Sequence, residues 1–525
     1  MAGALLALAF HKPNIAGLAW VAPALILFVA RGGNAFRLGA LAGFTHYLVS
    51  LSWLLHIPVK FYPILGWIAL AAYLALFPAA WAWLCQKQKA ESGKQKWIAR
   101  TGHALFCAAA WVAMEMIVSR LFTGFPWNLL GSSQQKLLPL IQIASITGVY
   151  GVSFLVIWFA ASLLNAFDAL LARPSERNVW LKELALPVFT VAVIYAFGLH
   201  RINSEPKAER SLRIALVQPS IPQTMIWNDA KAGPRLAELL KLTEAALTNK
   251  PDVLIWPEAA VPRMVRNDEP TARALTDLAR RSGAWFIVGS DDFEPRGTNA
   301  VYFNSSFLVN PRGEFVSTYR KRRLVIFGEY VPLVDWLPFI KYLTPIDGGF
   351  TAGERPVTFD LGELRAKTSV LICFEDVFPH YAREHATGEE DFLVNITNDG
   401  WFGESAAQWQ QAACAAFRAV ENGLPLVRCA NNGISCWVDR FGGMHNVFFD
   451  GATDAGDVYR AGFKIVEVPL PSPETKARRT FYNRHGDWFG WSCVGFAAVA
   501  FAARLATRRR ADIPVRSGPR HGEAS

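Results

Sequence analysis

Pro63–Cys85 contains no charged side chain, and this constrains the chain more than any other feature. A helix needs about 20 consecutive apolar residues to cross a bilayer core. Further runs with few or no charges occupy Ile15–Ala30, Leu38–His56, Gly102–Ser119, Leu137–Phe167, Leu184–His200 and Trp488–Ala503. One such run alone could be a buried helix of a soluble protein. Repeated runs on either side of a more polar stretch predict a polytopic α-helical membrane domain. The 525-residue chain is 52% hydrophobic, with a mean hydropathy of +0.20. The outermost runs are short, but Arg31 and Arg504 at their ends can snorkel to the interface.

The loops alternate in charge. Arg31 and Arg37 follow the first run, and Lys87, Lys89, Lys94, Lys96 and Arg100 follow the third. Arg173, Arg177 and Lys182 follow the fifth, and Arg508, Arg509 and Arg510 the last, whereas HIPVKFYP and TGFPWNLLGSSQ are nearly uncharged. Lys and Arg beside spans mark the cytoplasmic side, so the segment 201–487 is expected outside and the C-terminus in the cytoplasm. The net charge of +10 sits largely in these loops and in the tail RRRADIPVRSGPRHGEAS. It is explained by an anionic membrane surface rather than by nucleic acid. The Pro-, Gly- and Arg-rich tail reads as disordered.

The expected division is a transmembrane domain at 1–200, an outer domain at 201–487, a last span at 488–506 and a basic tail at 507–525. The first domain holds about six full spans plus the short apolar MAGALLALAF. That segment lacks the basic n-region and cleavage site of a signal peptide. A truncated span, a re-entrant piece and the end of a longer helix all remain open for it.

The seven cysteines form no CxxC and no His/Cys cluster, so neither zinc nor another metal is expected. Buried free thiols are the default for them, although Cys429 and Cys436 flank NNG and could pair across a hairpin.

From 211 to 470 short β-rich runs recur, among them LRIALV, DVLIWPE, AWFIVGS, VYFNSSFLV, TSVLICFE, DFLVNITND and PLVRCANNG. Amphipathic stretches such as RLAELLKLTEAAL lie between them, indicating a layered α/β domain. Glu258, Cys373, Glu375, Asn398 and Asp399 gather at the C-terminal ends of these strands, where α/β folds place sites. No glycine-rich phosphate loop and no GxSxG elbow is present, and no cofactor is implied.

Glu258, Lys321 and Cys373 together could supply a base, an ammonium for an oxyanion and a nucleophilic thiol. The ammonium would also lower the thiol pKa. Each has an ordinary alternative: a buried small hydrophobe for the Cys, a solvated turn for the Glu, a surface position for the Lys.

WPEAAVP, YRKRRLVIFGEYVP, CFEDVFP and NITNDGWFG, in this order, resemble the nitrilase or carbon–nitrogen hydrolase superfamily. With LVQPSIPQTMIW, TGFPWNLLGSSQ and RHGDWFGW, nearly the whole chain resembles the apolipoprotein N-acyltransferase family. That resemblance implies a nitrilase-like αββα sandwich carrying Glu258 as general base, Lys321 as oxyanion stabiliser and Cys373 as nucleophile. It implies supporting roles for Glu329 and Glu375. Trp227, Phe374 and Trp401 would contact lipid, and Phe402 and Trp409 would join the site wall or pack in the core.

The chain departs from the family pattern in Arg323 and Ile326, which replace a His and a Pro, in Phe374 where Tyr is common, and in Gln411 where some members have His. The implied reaction takes an acyl chain from a phospholipid, phosphatidylethanolamine, onto Cys373. The thioester then passes it to the N-terminal amine of a diacylated apolipoprotein, in the inner membrane of a bacterium, by a monomer whose catalytic domain is periplasmic.

A membrane-tethered amidase or hydrolase would share the triad. A transporter or lipid-binding scaffold with a decayed enzyme domain is a third reading, opposed by the intact trio. Glu115, inside a run, is a structural or functional candidate by its depth, with Arg120 an ill-placed partner five residues on.

Overall fold

The computed structural model describes residues 1–59, 61–88, 97–172, 174, 177–204, 208, 210–226, 228–296, 299–332, 349–448, 458–472 and 479–511. Trp227, Lys89, Lys94, Lys96, Arg173 and the tail beyond 511 lie outside the described residues.

Five described helices are long and apolar enough to cross a membrane: Tyr62–Gln88, Trp97–Val118, Val149–Ala172, Asn178–Asn203 and Trp488–Ala506. Ala16–Ala30 and Ala35–Ser50 are shorter, and MAGALLALAF forms a helix over Ala2–Leu8. The run Leu137–Phe167 is not one helix. It breaks into Leu138–Ile141, Ala144–Thr147 and Val149–Ala172. The break falls at Gly148, whose φ of +67° favours glycine, and where a Cβ would lie 2.7 Å from the Tyr482 ring. The run Leu38–His56 likewise divides into a helix ending at Ser50 and a 3₁₀ turn at Ser52–His56. Helix Trp488–Ala511 continues through the three arginines that follow the last apolar run.

The described residues of 201–487 form twelve strands: β1 (Ser211–Gln218), β2 (Val253–Trp256), β3 (Trp285–Arg296), β4 (Asn299–Val309), β5 (Phe315–Arg320), β6 (Thr358–Asp360), β7 (Lys367–Ile372), β8 (Phe392–Thr397), β9 (Leu426–Ala430), β10 (Cys436–Val438), β11 (Met444–His445) and β12 (Gly462–Pro469). They form two six-stranded sheets, ordered β12-β1-β2-β3-β4-β5 and β11-β10-β9-β8-β7-β6. Each has a parallel centre, β1-β2-β3 or β7-β8-β9, flanked by antiparallel strands.

Side-chain alternation sets the layers. Val253 and Ile255 of β2 face the second sheet and pack with Val370, Ile372, Val394 and Ile396. Their neighbours Leu254 and Trp256 face outward, onto Leu239 and Ala246 of helix Ala232–Leu247 and Leu275 and Ala279 of helix Glu269–Ser282. On the far side Leu393 and Leu426 pack on Ala412, Ala415 and Ala419 of helix Ala407–Asn422. The result is a nitrilase-like αββα sandwich joined to a helical membrane domain.

The two parts are locked together. The Gln410 carbonyl accepts from Trp53 Nε1 (3.1 Å) and Trp127 Nε1 (2.8 Å), while its amide donates to the His11 carbonyl (2.8 Å) and the Ser50 carbonyl (3.1 Å). Glu421 accepts from Val149 N at the start of a span (2.8 Å) and pairs with the buried Arg418. Glu115 accepts from Trp111 Nε1 (2.9 Å) and Leu130 N (2.7 Å), so it holds the TGFPWNLL loop. Arg120 pairs with Asp487, a distant residue, instead of Glu115.

Candidate active site

Three strand ends converge. Glu258 lies two residues past β2, Lys321 follows β5 directly, and Cys373 follows β7 and opens the 3₁₀ turn Cys373–Val377. Cys373 has φ +52° and Ala259 beside Glu258 also φ +52°. A side chain in that region costs about 1–3 kcal/mol unless its surroundings fix it. The Cys373 carbonyl is fixed by Asn395 Nδ2 (3.1 Å) and Gln411 Nε2 (2.9 Å). Gln411 also donates to Asp376 (3.0 Å), which with Asp399 holds the fully buried Arg428, each at 2.9 Å.

The Lys321 ammonium donates to Glu258 Oε1 (3.1 Å) and Glu329 Oε1 (2.9 Å). Asn304 Nδ2 bridges the same two oxygens at 2.7 and 3.0 Å, and its carbonyl accepts from Lys321 N. Asn398 N donates to Glu258 Oε2 (2.9 Å), and Val325 N to Glu329 Oε2 (2.8 Å). An ammonium has three N–H groups. Among the described residues two are committed to carboxylates, and the third is left for a developing oxyanion.

Burial alone would lower Lys321, but Glu258 and Glu329 hold it well above its ordinary value. The Cys373 thiol moves the other way from the sequence expectation. Burial and the Glu258 carboxylate raise it well above the usual thiol range, and Lys321 and Thr397 offset them only partly. The resting group is a thiol beside a carboxylate, which calls for general-base activation rather than a standing thiolate.

Glu375 feels the Lys321 charge but hydrogen-bonds neither the ammonium nor the thiol. Its oxygens accept from Arg322 N (2.7 Å), Arg323 N (3.0 Å), Ile372 N (2.7 Å) and the Tyr319 hydroxyl (2.8 Å). It therefore staples the Lys321 strap to the Cys373 turn. Burial pushes its carboxyl up in spite of these donors.

Gly289 of β3 lets Glu258 approach: a Cβ there would fall 2.3 Å from the Pro257 carbonyl and 2.9 Å from Glu258 Cα. Two residues on along the same face, half-buried Asp291 pairs in register with Asn304. Burial, with Glu258 and Glu329, pushes Asp291 up to about 7.

Phe374 lies 6.1 Å from Phe125, 6.1 Å from Trp127 and 4.9 Å from Phe378. Phe402 packs on Trp53 (4.6 Å), and Trp409 stacks on His11 (5.0 Å). Trp401 lies in the 3₁₀ turn Asp399–Phe402, half-buried. The aromatic cluster runs on into Leu51 and into Leu74 and Val118 of the membrane helices, so the residue after Cys373 packs in a cluster shared by both parts. All seven cysteines are free and buried, and no cluster able to hold a metal occurs among the described residues. Asn304, Asn395 and Tyr319 join the site only in three dimensions, and Gln411, visible in the sequence as a departure from the family pattern, proves to hold the Cys373 carbonyl; the signal for the strand residues is a polar group inside an apolar run, as in VYFNSSFLV.

Residues 2–162 match the apolipoprotein N-acyltransferase N-terminal domain, and residues 213–452 match the carbon–nitrogen hydrolase family. An apolipoprotein N-acyltransferase of Geobacter metallireducens is 37% identical over 97% of this chain and 95% of its own. The chain belongs to the apolipoprotein N-acyltransferase family. Family members from Rickettsia prowazekii (34% identical, 78% of this chain, 79% of theirs) and Brucella melitensis (30%, 84% and 79%) are also similar. Membership makes the chain an acyltransferase on a carbon–nitrogen hydrolase scaffold.

Among solved structures, an amidase from Nesterenkonia sp. is 20% identical with a TM-score of 0.36, covering 54% of this chain and 99% of that one. A CN-hydrolase superfamily protein from Xanthomonas campestris with an arsenic adduct in its active site is 18% identical with a TM-score of 0.38, covering 53% and 95%.

Proposed function

We propose that this family member N-acylates diacylated apolipoproteins through a thioester on Cys373, with phosphatidylethanolamine as donor. Glu258 takes the thiol proton as Sγ attacks the ester carbonyl. The third N–H of Lys321 meets the tetrahedral oxyanion, a contact worth about 3 kcal/mol. Glu258 then protonates the departing glycerol oxygen, and lysophospholipid leaves. In the second half the α-amine of S-diacylglyceryl-cysteine attacks the thioester. Glu258 takes the amine proton and hands it to the leaving Cys373 sulfur, so the thiol and the carboxylate reform as the amide departs.

The observation that carries this reading is the arrangement of Lys321 between Glu258 and Glu329, one N–H to spare, next to a buried thiol whose neighbour Phe374 joins an aromatic wall shared with the membrane helices. Glu329 keeps the ammonium charged in a water-poor site. The wall excludes water, which would otherwise hydrolyse the thioester. The basic loops support a periplasmic catalytic domain and a cytoplasmic C-terminus for an enzyme of the bacterial inner membrane, taken to act as a monomer.

The test is mass spectrometry of the purified protein after labelled phosphatidylethanolamine is added. An acyl adduct on Cys373 that passes to a lipopeptide amine is expected, and Cys373→Ser should abolish it. Release of free fatty acid with no transfer to amine would instead make the enzyme a hydrolase.

A further inference from the structure

Arg322 and Arg323 follow Lys321 directly, and neither has a part in the chemistry above. Arg322 pairs with Glu384 (2.6 Å), its guanidinium 5.1 Å from the Tyr381 ring. Arg323 is partly exposed, its guanidinium lying over Phe378 (4.7 Å) and Tyr381 (5.6 Å). Among the described residues no carboxylate pairs with the Arg323 guanidinium. Only its backbone N–H is used, by Glu375.

The position also lies beside the end of a candidate span. Phe378 and Tyr381 belong to the aromatic cluster that includes Val118, the last residue of span Trp97–Val118. His380, between them, has a buried Nδ1 with no partner. Burial, with Arg120, Arg323 and Arg418, pushes its imidazole down to about 4 against the pull of Asp487. Arg120 lies just beyond that span, and Asp487 just before Trp488–Ala506. Arg323 thus sits where two spans meet the outer domain. From its rings, Phe378 reaches Phe374 beside Cys373.

We infer that Arg323 binds the phosphodiester of the phospholipid donor and so selects the lipid that acylates Cys373. This rests on the proposed function and adds a subsite to it. An exposed guanidinium over aromatic faces binds a phosphate oxygen pair in a fork and is more weakly hydrated than an ammonium. A ping-pong enzyme shows both lipids to one thiol. The donor carries a phosphate and the diacylglyceryl acceptor does not, so a cation here favours the first half-reaction alone.

The experiment uses the full-length enzyme in detergent and Arg323→Gln. Thioester formation is measured with phosphatidylethanolamine and, separately, with the phosphate-free p-nitrophenyl butyrate. Transfer from preformed thioester to a diacylated lipopeptide is the third measurement. The loss with phospholipid should exceed the loss with the neutral ester, and the loss in transfer, by about tenfold or more. Arg323→Lys, which keeps the charge, should recover most of the difference.

Equal losses in all three reactions would mean that Arg323 only shapes the loop, and no loss would mean that it is idle. Either result overturns the inference. Inhibition of wild type by inorganic phosphate that disappears in Arg323→Gln, with the phospholipid-to-ester ratio unmoved, would assign the site to a soluble phosphate and overturn the lipid assignment. Failure of the wild type to take acyl groups from phospholipid, while p-nitrophenyl butyrate still labels Cys373, would count against the proposed function itself.

Discussion

Glu375→Gln tests whether one carboxylate positions two catalytic groups. A glutamine keeps the shape but has one acceptor oxygen and an NH₂ group. If that oxygen stays on Arg322 N and Arg323 N, the NH₂ group faces Ile372 N, which loses its acceptor. In the opposite rotamer both arginine N–H groups lose theirs. The cheaper rotamer leaves one buried N–H orphaned, at about 1–3 kcal/mol. It also weakens the remaining bonds by removing the charge, so the local cost is about 2–4 kcal/mol. That is at least the size of the strain held at Cys373, where φ is +52°, so the turn is expected to relax.

Misplacing a nucleophile by about 1 Å costs roughly 100-fold in rate. Thioester yield from labelled phosphatidylethanolamine after a fixed time should therefore fall by about that factor, while the protein still purifies as a folded membrane enzyme. Tyr319→Phe removes a donor but leaves all three N–H groups satisfied, and should cost about 1 kcal/mol with much smaller loss of yield. Wild-type yield from Glu375→Gln would refute the staple. An equal loss from Tyr319→Phe would shift the role to the hydroxyl.

Glu329→Gln should be nearly as damaging as Lys321→Ala to thioester formation, because it removes one of the two anions that keep the ammonium charged; a mild effect would leave Glu258 as the sufficient counter-charge. Gly289→Ala should cost about 1–3 kcal/mol of stability by overpacking, and its loss of acylation rate should exceed that of any equally destabilising core change, since the added methyl pushes on Glu258. Asp291 holds a proton in the folded protein that the unfolded chain releases above about 4, so its contribution to stability is present at low pH and lost as pH rises through about 7. Asp291→Asn should therefore gain in melting temperature over wild type at pH 8 but not at pH 3.5, and an equal shift at both would remove Asp291 from the titrating set.

Much of the site was legible because its residues end strands whose apolar runs are visible locally. WPE, KRR and CFE each announce a polar group at the end of a buried strand. What escaped depended on distant partners. The break in Leu137–Phe167 needs Tyr482 against Gly148, and Arg120 turns from Glu115 because Asp487 reaches it from the far end of the chain. Asn304 looks like an ordinary strand residue until Glu258 and Glu329 meet at its amide. The net direction of the Cys373 shift is hidden for the same reason, although Lys321 does lower it as the sequence implies. Sequence supplies the neighbouring ammonium, but only three dimensions supply the burial and the closeness of Glu258 that outweigh it.

Gln410 and Glu421 sit on one helix and satisfy groups that belong to the membrane half: two indoles, two carbonyls and the first N–H of a span. Cut away the spans, and Gln410 loses its indole and carbonyl partners, Glu421 keeps Arg418 but loses Val149 N, and the aromatic cluster around Trp53 and Trp127 loses more than half its members. A fragment of residues 205–487 is thus expected to aggregate, and a monodisperse fragment that forms the thioester would disprove it. The same wiring makes one half of the protein the other's interior: until the spans are folded, Gln410 and Phe402 lack the Trp53 and Trp127 side of their surroundings.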